Sequence, residues 1–257
     1  MLSVENLHKS FGGVQATRDV TLDFPAGSLT AIIGPNGAGK TTFFNLISGH
    51  VRPDSGRVVF DGADVVGLSS LEIVRRGMAR AFQVASLFPS LTVREALTAA
   101  VTAHQRRSWS LLSRFPLGQS RARVEELLEL LGLAPKADLV SSSLSHGDQK
   151  LLDIGLALAM DPKVLLLDEP TAGMGPDERW RMIEKVHHLW QARRLTMVFI
   201  EHDMDIVFKY AQAVHVLKYG AVLAQGTPAE IRRNQDVIDA YLGTDHHLAV
   251  ATGEVPA

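Results

Sequence analysis

Gly34-Pro35-Asn36-Gly37-Ala38-Gly39-Lys40-Thr41-Thr42 decides the architecture of this chain. Its first eight residues match G-x-x-x-x-G-K-[ST] at every fixed position, the pattern of a loop that cradles phosphates. The glycines are needed because backbone N–H groups must turn inward and approach the anion closely, which a Cβ would obstruct. Lys40 then reaches the β- and γ-phosphates of a nucleotide such as ATP, and Thr41 offers a hydroxyl to Mg²⁺. The helix that follows, with Thr42 in its first turn, points N–H groups and a positive dipole end at the charge. The required context is present. Leu29–Ile33 is a short β-branched run that predicts a strand buried on both faces, and 41–48 is helix-compatible.

Outward from this loop the chain alternates between strand and helix patterns. Val4, Leu7 and Phe11, then Val20, Leu22 and Phe24, show the alternation of half-buried strands, punctuated by Gly12-Gly13 and Pro25-Ala26-Gly27. Residues 57–60 and 79–82 read as further strands, with a short helix at 71–76. From 92 to 159 strands vanish and helical spacing takes over at Val93–His104, 121–131 and 149–159. Strands return at 164–167, Thr196–Ile200, 213–217 and 221–224, around a helix at 177–193. The predicted fold is α/β: a P-loop core sheet with an N-terminal antiparallel β subdomain and an inserted helical lobe. One domain spans 1–243, its catalytic lobe formed by 1–91 and 160–243 and its helical lobe by 92–159. Residues 244–257 read as a flexible tail, and 108–120 as a loop or short amphipathic element.

Composition narrows the function classes. With 46% hydrophobic and 21% charged residues in 257, the chain can bury a substantial core. A net charge of -2 gives no basic footprint for a phosphate backbone, so no nucleic-acid partner is expected. The absence of cysteine excludes disulfides, thiolate metal sites and a cysteine nucleophile. Met1-Leu2-Ser3-Val4-Glu5-Asn6 lacks the pattern of a signal peptide, and no apolar run approaches the roughly 18 residues of a membrane span. The expected location is cytoplasmic, with any membrane role peripheral.

Three further strand exits carry chemistry. The buried run 164–167 delivers Asp168 and Glu169 at the end of a parallel strand, where ligands bind in open sheets. Asp168 there suits the coordination shell of Mg²⁺, and Glu169 the orientation or deprotonation of an attacking water. Alone, such a pair often marks only a polar strand exit; the upstream cradle favours the catalytic reading. His202 follows Thr196–Ile200 and either faces the γ-phosphate or is simply solvated. Gln83, after 79–82, has an amide able to meet Mg²⁺, water or phosphate, or is an ordinary loop residue. Ser145 and Asp148 have S-x-x-D capping spacing at a helix start.

Taken in order, the cradle, Gln83, Leu144-Ser145-His146-Gly147-Asp148-Gln149, Asp168-Glu169 and His202 resemble the ATP-binding cassette superfamily across nearly the whole chain. The resemblance implies that 144–149 is the signature segment, with Ser145, His146, Gly147, Asp148 and Gln149 meeting the γ-phosphate of ATP held by an opposite subunit. The partner is therefore a second such subunit, the same or homologous. It also implies that Gln83 and His202 belong to the hydrolytic set and that Phe11 stacks on adenine, against the alternative of a core-facing strand aromatic. His146 stands where the family usually has glycine, and Gly175 where it often has aspartate.

Phe11-Gly12-Gly13-Val14, Ala81-Phe82-Gln83, Glu201-His202-Asp203-Met204 and 236–243 are similar to the ATPases of branched-chain amino acid importers, while the signature histidine with Ala172-Gly173-Met174 also resembles those of urea or short-amide importers. Either implies integral permease subunits, an external solute-binding protein and a place on the cytoplasmic face of the inner membrane. Other readings remain at this point. A non-transport cassette switch predicts a second cassette or a long coiled coil, and a P-loop kinase leaves Ser145 without a purpose. The arginines at 75, 76 and 80, and those at 106, 107, 114, 121 and 123, read first as solvated faces, with contact to the membrane partner or anionic lipid as the alternative. The adjacent pairs His187-His188 and His246-His247 do not stack as metal ligands on a helix would, so no structural metal is expected.

Overall fold

A computed structural model describes residues 1–81, 88–104 and 118–242. In chain order the first elements are β1 (Leu2–Phe11), β2 (Val14–Phe24), β3 (Leu29–Ile33), α1 (Lys40–Ile47), β4 (Ser55–Phe60) and β5 (Ala63–Asp64). Then come α2 (Ser70–Arg76), β6 (Met78–Ala81), α3 (Val93–His104), α4 (Gly118–Leu131), α5 (His146–Leu158), β7 (Val164–Asp168) and α6 (Pro176–Arg193). The chain continues through β8 (Thr196–Ile200), α7 (Met204–Tyr210), β9 (Ala213–Lys218), β10 (Ala221–Gly226), α8 (Pro228–Arg232) and α9 (Gln235–Leu242). It divides into two compact units, Met1–Ser70 with the chain from Val198 onward, and Leu71–Met197.

The first unit opens with an antiparallel sheet ordered β2-β1-β4-β5. Val4, Leu7, Val20, Leu22 and Phe24 are buried while the residues between them are largely exposed, as the alternation predicts. Gly12 and Gly13, with φ of 51° and 90°, form the two-residue hairpin turn that needs a left-handed backbone at both positions, and so bring Phe11 opposite Val14. β3 is buried at all five positions, pairs parallel with β9, and β9 pairs antiparallel with β10. Phe24 packs on Phe43 at 6.3 Å between ring centroids and meets the His215 ring edge-on at 5.3 Å, joining the sheets to α1. Each fully buried phenylalanine contributes about 1.5–3 kcal/mol relative to leaving it in water.

In the second unit β6 runs parallel to β7, with Arg80 in register with Leu166. Helices α3, α4 and α5 pack together around Leu97, Val101, Leu127, Leu128, Leu131 and Ile154. A Cβ on Gly155 would stand 2.5 Å from Leu131 and 3.2 Å from Leu97, so glycine there is what lets α5 approach its neighbours. α3 begins with a reciprocal cap: the Glu95 N–H donates to the Thr92 hydroxyl at 3.1 Å and the Thr92 N–H to the Glu95 carboxylate at 2.9 Å. α4 starts at Gly118, three residues before its predicted start, and takes in the end of the stretch expected to be loop.

Candidate functional site

The cradle lies in the first unit between β3 and α1. Gly34, Gly37 and Gly39 have φ of 153°, 78° and 99°. A Cβ on Gly34 would stand 2.1 Å from the Leu217 carbonyl oxygen, and one on Gly39 2.2 Å from that of Ala16. The glycines therefore serve close backbone packing as well as access for an anion. The Gly220 N–H donates to the Ala38 carbonyl at 3.0 Å, fixing the loop to the turn between β9 and β10. Lys40 is buried, and its Nζ donates to the carbonyls of Gly34 at 2.6 Å and Pro35 at 3.1 Å. The ammonium is thus folded back over the loop that phosphates would enter. Asn36 and Gly37 are exposed, as is Thr41 in the first turn of α1, with Thr42 half-buried behind it.

Other residues of this unit bear on the loop or its surroundings. Phe11 is 48% exposed with Lys9 Nζ 5.3 Å from its ring centroid, which corrects the core-facing alternative and leaves a face for stacking. Tyr241, on α9, has a buried hydroxyl. Burial pushes this phenol above its ordinary value, against a hydrogen bond with the backbone of Gly34. His202 is exposed just after β8, and its N–H donates to the Glu201 carboxylate at 3.1 Å. Asp203 caps α7 by accepting from the N–H groups of Asp205 and Ile206.

The second unit holds the carboxylates. Asp168 ends β7, one residue beyond the predicted strand, with its side chain 1% exposed. Arg80 Nη2 donates to Asp168 Oδ2 at 2.6 Å, while Oδ1 is buried and meets no hydrogen-bond partner among the described residues. Arg80 is therefore not part of a solvated face, unlike Arg75 and Arg76, which are exposed; pairing between β6 and β7 turns it onto the carboxylate. Glu169 adopts a left-handed backbone, φ 49°, rare for a side chain of its kind, and its carbonyl accepts from the buried Lys150 Nζ at 2.7 Å. The bond holds the chain in the turn that follows the strand. Gln83 lies outside the described residues.

Ser145 caps α5 as the spacing predicts. Its Oγ accepts from the Asp148 N–H at 3.2 Å and donates to Asp148 Oδ2 at 2.7 Å, while Lys136 pairs with the same carboxylate. Burial raises the Asp148 carboxyl, but the bonds from Lys136 and Ser145 outweigh it and hold the group below its ordinary value. Gly147 is buried, with Glu178 where a Cβ would go, and Gln149 donates to the Leu144 carbonyl at 3.2 Å. Ser145 and His146 face solvent at the helix start, where N–H groups suit an anion. Gly175 caps α6 with no side-chain bond and open space around it, so an aspartate would fit there.

Residues 17–172 match the family described as ABC transporter, and 221–247 match the one described as Branched-chain amino acid ATP-binding cassette transporter. The chain is 39% identical over 251 residues to the high-affinity branched-chain amino acid transport ATP-binding protein LivG of Salmonella typhimurium, covering 95% of this chain and 98% of that one. It is 36% identical to BraF of Pseudomonas aeruginosa, covering 95% and 98%. Among solved structures, a nucleotide-free ATP-binding cassette from an ABC transporter superposes with a TM-score of 0.80 at 30% identity, covering 94% and 98%. A dimeric cassette in a post-hydrolysis state bound to ADP and phosphate gives 0.74 at 26%, covering 89% and 99%.

Proposed function

This chain belongs to the ABC transporter family, whose members hydrolyse ATP to power transport, and from that premise we propose that it drives uptake of branched-chain amino acids through a membrane permease. The observation that carries the ATP reading is the cradle: Gly34 and Gly39, which admit no Cβ, and a buried lysine whose ammonium donates to two loop carbonyls that it can exchange for phosphate oxygens. The solute is taken from the relatives, LivG and BraF, matched along almost their whole length, and from the match at 221–247.

In this reading residues 34–42 bind the triphosphate, Lys40 meets its β- and γ-oxygens, and Phe11 stacks on the base. The chemistry of Asp168 fits Mg²⁺: it keeps a buried carboxylate oxygen without a partner among the described residues, and Thr41 and Gln83 would add the further oxygen donors that this cation takes. When bound, the cation supplies charge neutralisation at the phosphate oxygens. Glu169 orients a water and accepts its proton as the water oxygen bonds to the γ-phosphorus and the bridge to ADP breaks. His202 and Gln83 contact the γ-phosphate and the water. Ser145, His146, Gly147, Asp148 and Gln149 act on ATP held by a second subunit.

Residues 1–243 work as one nucleotide-binding domain with 92–159 as its helical lobe; the expected tail at 244–257 lies outside the described residues. The protein works at the cytoplasmic side of the membrane, against permease subunits fed by an external binding protein. No helix among the described residues is long and apolar enough to cross a membrane. The test is reconstitution in vesicles with the permease and binding protein. Leucine-loaded binding protein should raise ATP hydrolysis severalfold and urea should leave it unchanged; stimulation by urea alone would move the assignment to the amide importers.

A further inference from the structure

Arg80 and Asp168 form an ion pair that is nearly closed to solvent, with side-chain exposures of 9% and 1% and a contact of 2.6 Å. Arg80 lies opposite Leu166 in the parallel pairing of β6 and β7, so the strand period of two puts its side chain on the same face as Asp168, two residues further along. A carboxylate buried this deeply does not stay ionised without a compensating charge. We propose that Arg80 is the resident counter-ion of Asp168 and that its charge makes divalent-cation binding at this carboxylate conditional on the nucleotide. This rests on the reading of Asp168 as a Mg²⁺ ligand.

A guanidinium does not lose its proton in a protein, so its positive charge remains when a cation arrives. The pair leaves Asp168 Oδ1 buried and unpartnered among the described residues, so one oxygen is available while the other is held. A dication placed on that oxygen is repelled by Arg80 across a poorly screened distance. The single negative charge of Asp168 is already balanced, and the excess positive charge is offset only when phosphates come with the metal. The cation therefore enters and leaves with the nucleotide, and Arg80 holds the carboxylate in place in between.

The test uses Mn²⁺ as the probe, its free concentration followed by electron paramagnetic resonance, with and without a non-hydrolysable ATP analogue. Arg80→Gln keeps a hydrogen-bond donor toward Asp168 and removes the charge; Arg80→Lys keeps the charge. Without nucleotide, Arg80→Gln should bind Mn²⁺ at least about tenfold more tightly than the unmodified protein, with Arg80→Lys within about twofold of it. Thermal melting gives the second readout: Mn²⁺ alone should raise the midpoint of Arg80→Gln and leave the unmodified protein where it was. If Arg80→Gln folds only when Mn²⁺ is present, the inference is supported as well. Unchanged or weaker Mn²⁺ binding, equal shifts for Gln and Lys, or a loss of folding that Mn²⁺ does not restore would overturn it. Failure of the underlying Mg²⁺ reading shows differently: the unmodified protein would bind the analogue no better with Mn²⁺ than without.

Discussion

His146 Nε2 lies 3.3 Å from the backbone carbonyl oxygen of Ala172. A carbonyl only accepts, so the ring carries its proton on Nε2 in this contact. The bond joins the start of α5 to the turn after Glu169, and Gly173, at φ 80°, passes beneath the ring where a Cβ would be 3.3 Å from Nε2. The signature histidine thus links two segments within its own subunit. His146→Ala should lower stability by about 0.5–1 kcal/mol, the small end being favoured by its exposure. It should slow ATP hydrolysis by about two- to fivefold, since a bond of that size is lost. Urea denaturation and steady-state hydrolysis measure the two effects; full activity with unchanged stability would reduce the contact to an incidental one.

Gly39→Ala and Gly12→Ala separate backbone strain from collision. Both positions have positive φ, which costs an alanine about 1–2 kcal/mol. Gly12 has nothing within 4 Å of a new Cβ, whereas at Gly39 that atom falls 2.2 Å from the Ala16 carbonyl oxygen. Gly39→Ala should therefore cost more stability than Gly12→Ala and should also weaken ATP binding. Equal losses in paired denaturation curves would show that the loop is not tightly seated against β2.

Lys40→Met removes the donor to Gly34 and Pro35 and the charge meant for phosphate. Two charge-assisted hydrogen bonds contribute on the order of 1.5–3 kcal/mol each, so ATP affinity should fall by at least about 100-fold. Equilibrium binding of a fluorescent ATP analogue reads this directly. An affinity within threefold of the unmodified protein would remove Lys40 from the site.

Burial holds the His215 imidazole below its ordinary 6.5, with the Asp23 backbone and charge pulling the other way. As pH falls below 6.5 the unfolded chain takes up this proton while the folded protein does not. Folding stability is thus lost progressively, down to the lower folded-state value, by at most about 1.4 kcal/mol per pH unit. Above 6.5 the group contributes no slope. His215→Leu should flatten the pH dependence of the denaturation midpoint between pH 6.5 and 5; an unchanged slope would mean that other groups set it.

The strand, cradle and helix from Leu29 to Ile47 were legible because buried β-branched residues, glycines and a lysine stand at local, fixed spacing. The cap at Ser145 was legible for the same reason, since its partner is three residues away. Arg80 was not: the linear sequence shows a basic cluster, and only the pairing of β6 with β7 sets one member of it against a carboxylate 88 residues on. Lys150 reaching Glu169 is nonlocal in the same sense. α8 is marked in the sequence as well. Thr227, Pro228 and Glu230 make a capping box with proline in the first turn, a pattern visible in sequence. Gln83 falls outside the described residues, while Lys40, Thr41, Asp168, Glu169 and His202 lie within them.

Glu169 decides whether the carboxylate after β7 is the base for ATP hydrolysis. Its backbone is held in a left-handed turn by Lys150, and its carboxylate is assigned the proton of the attacking water. Glu169→Gln keeps the size and most of the hydrogen bonding but cannot accept that proton. Hydrolysis of Mg-ATP should drop by about 100-fold or more, while ATP binding persists and sedimentation velocity shows a stable dimer in ATP that is absent in ADP. Undiminished hydrolysis by the variant would remove Glu169 from the reaction.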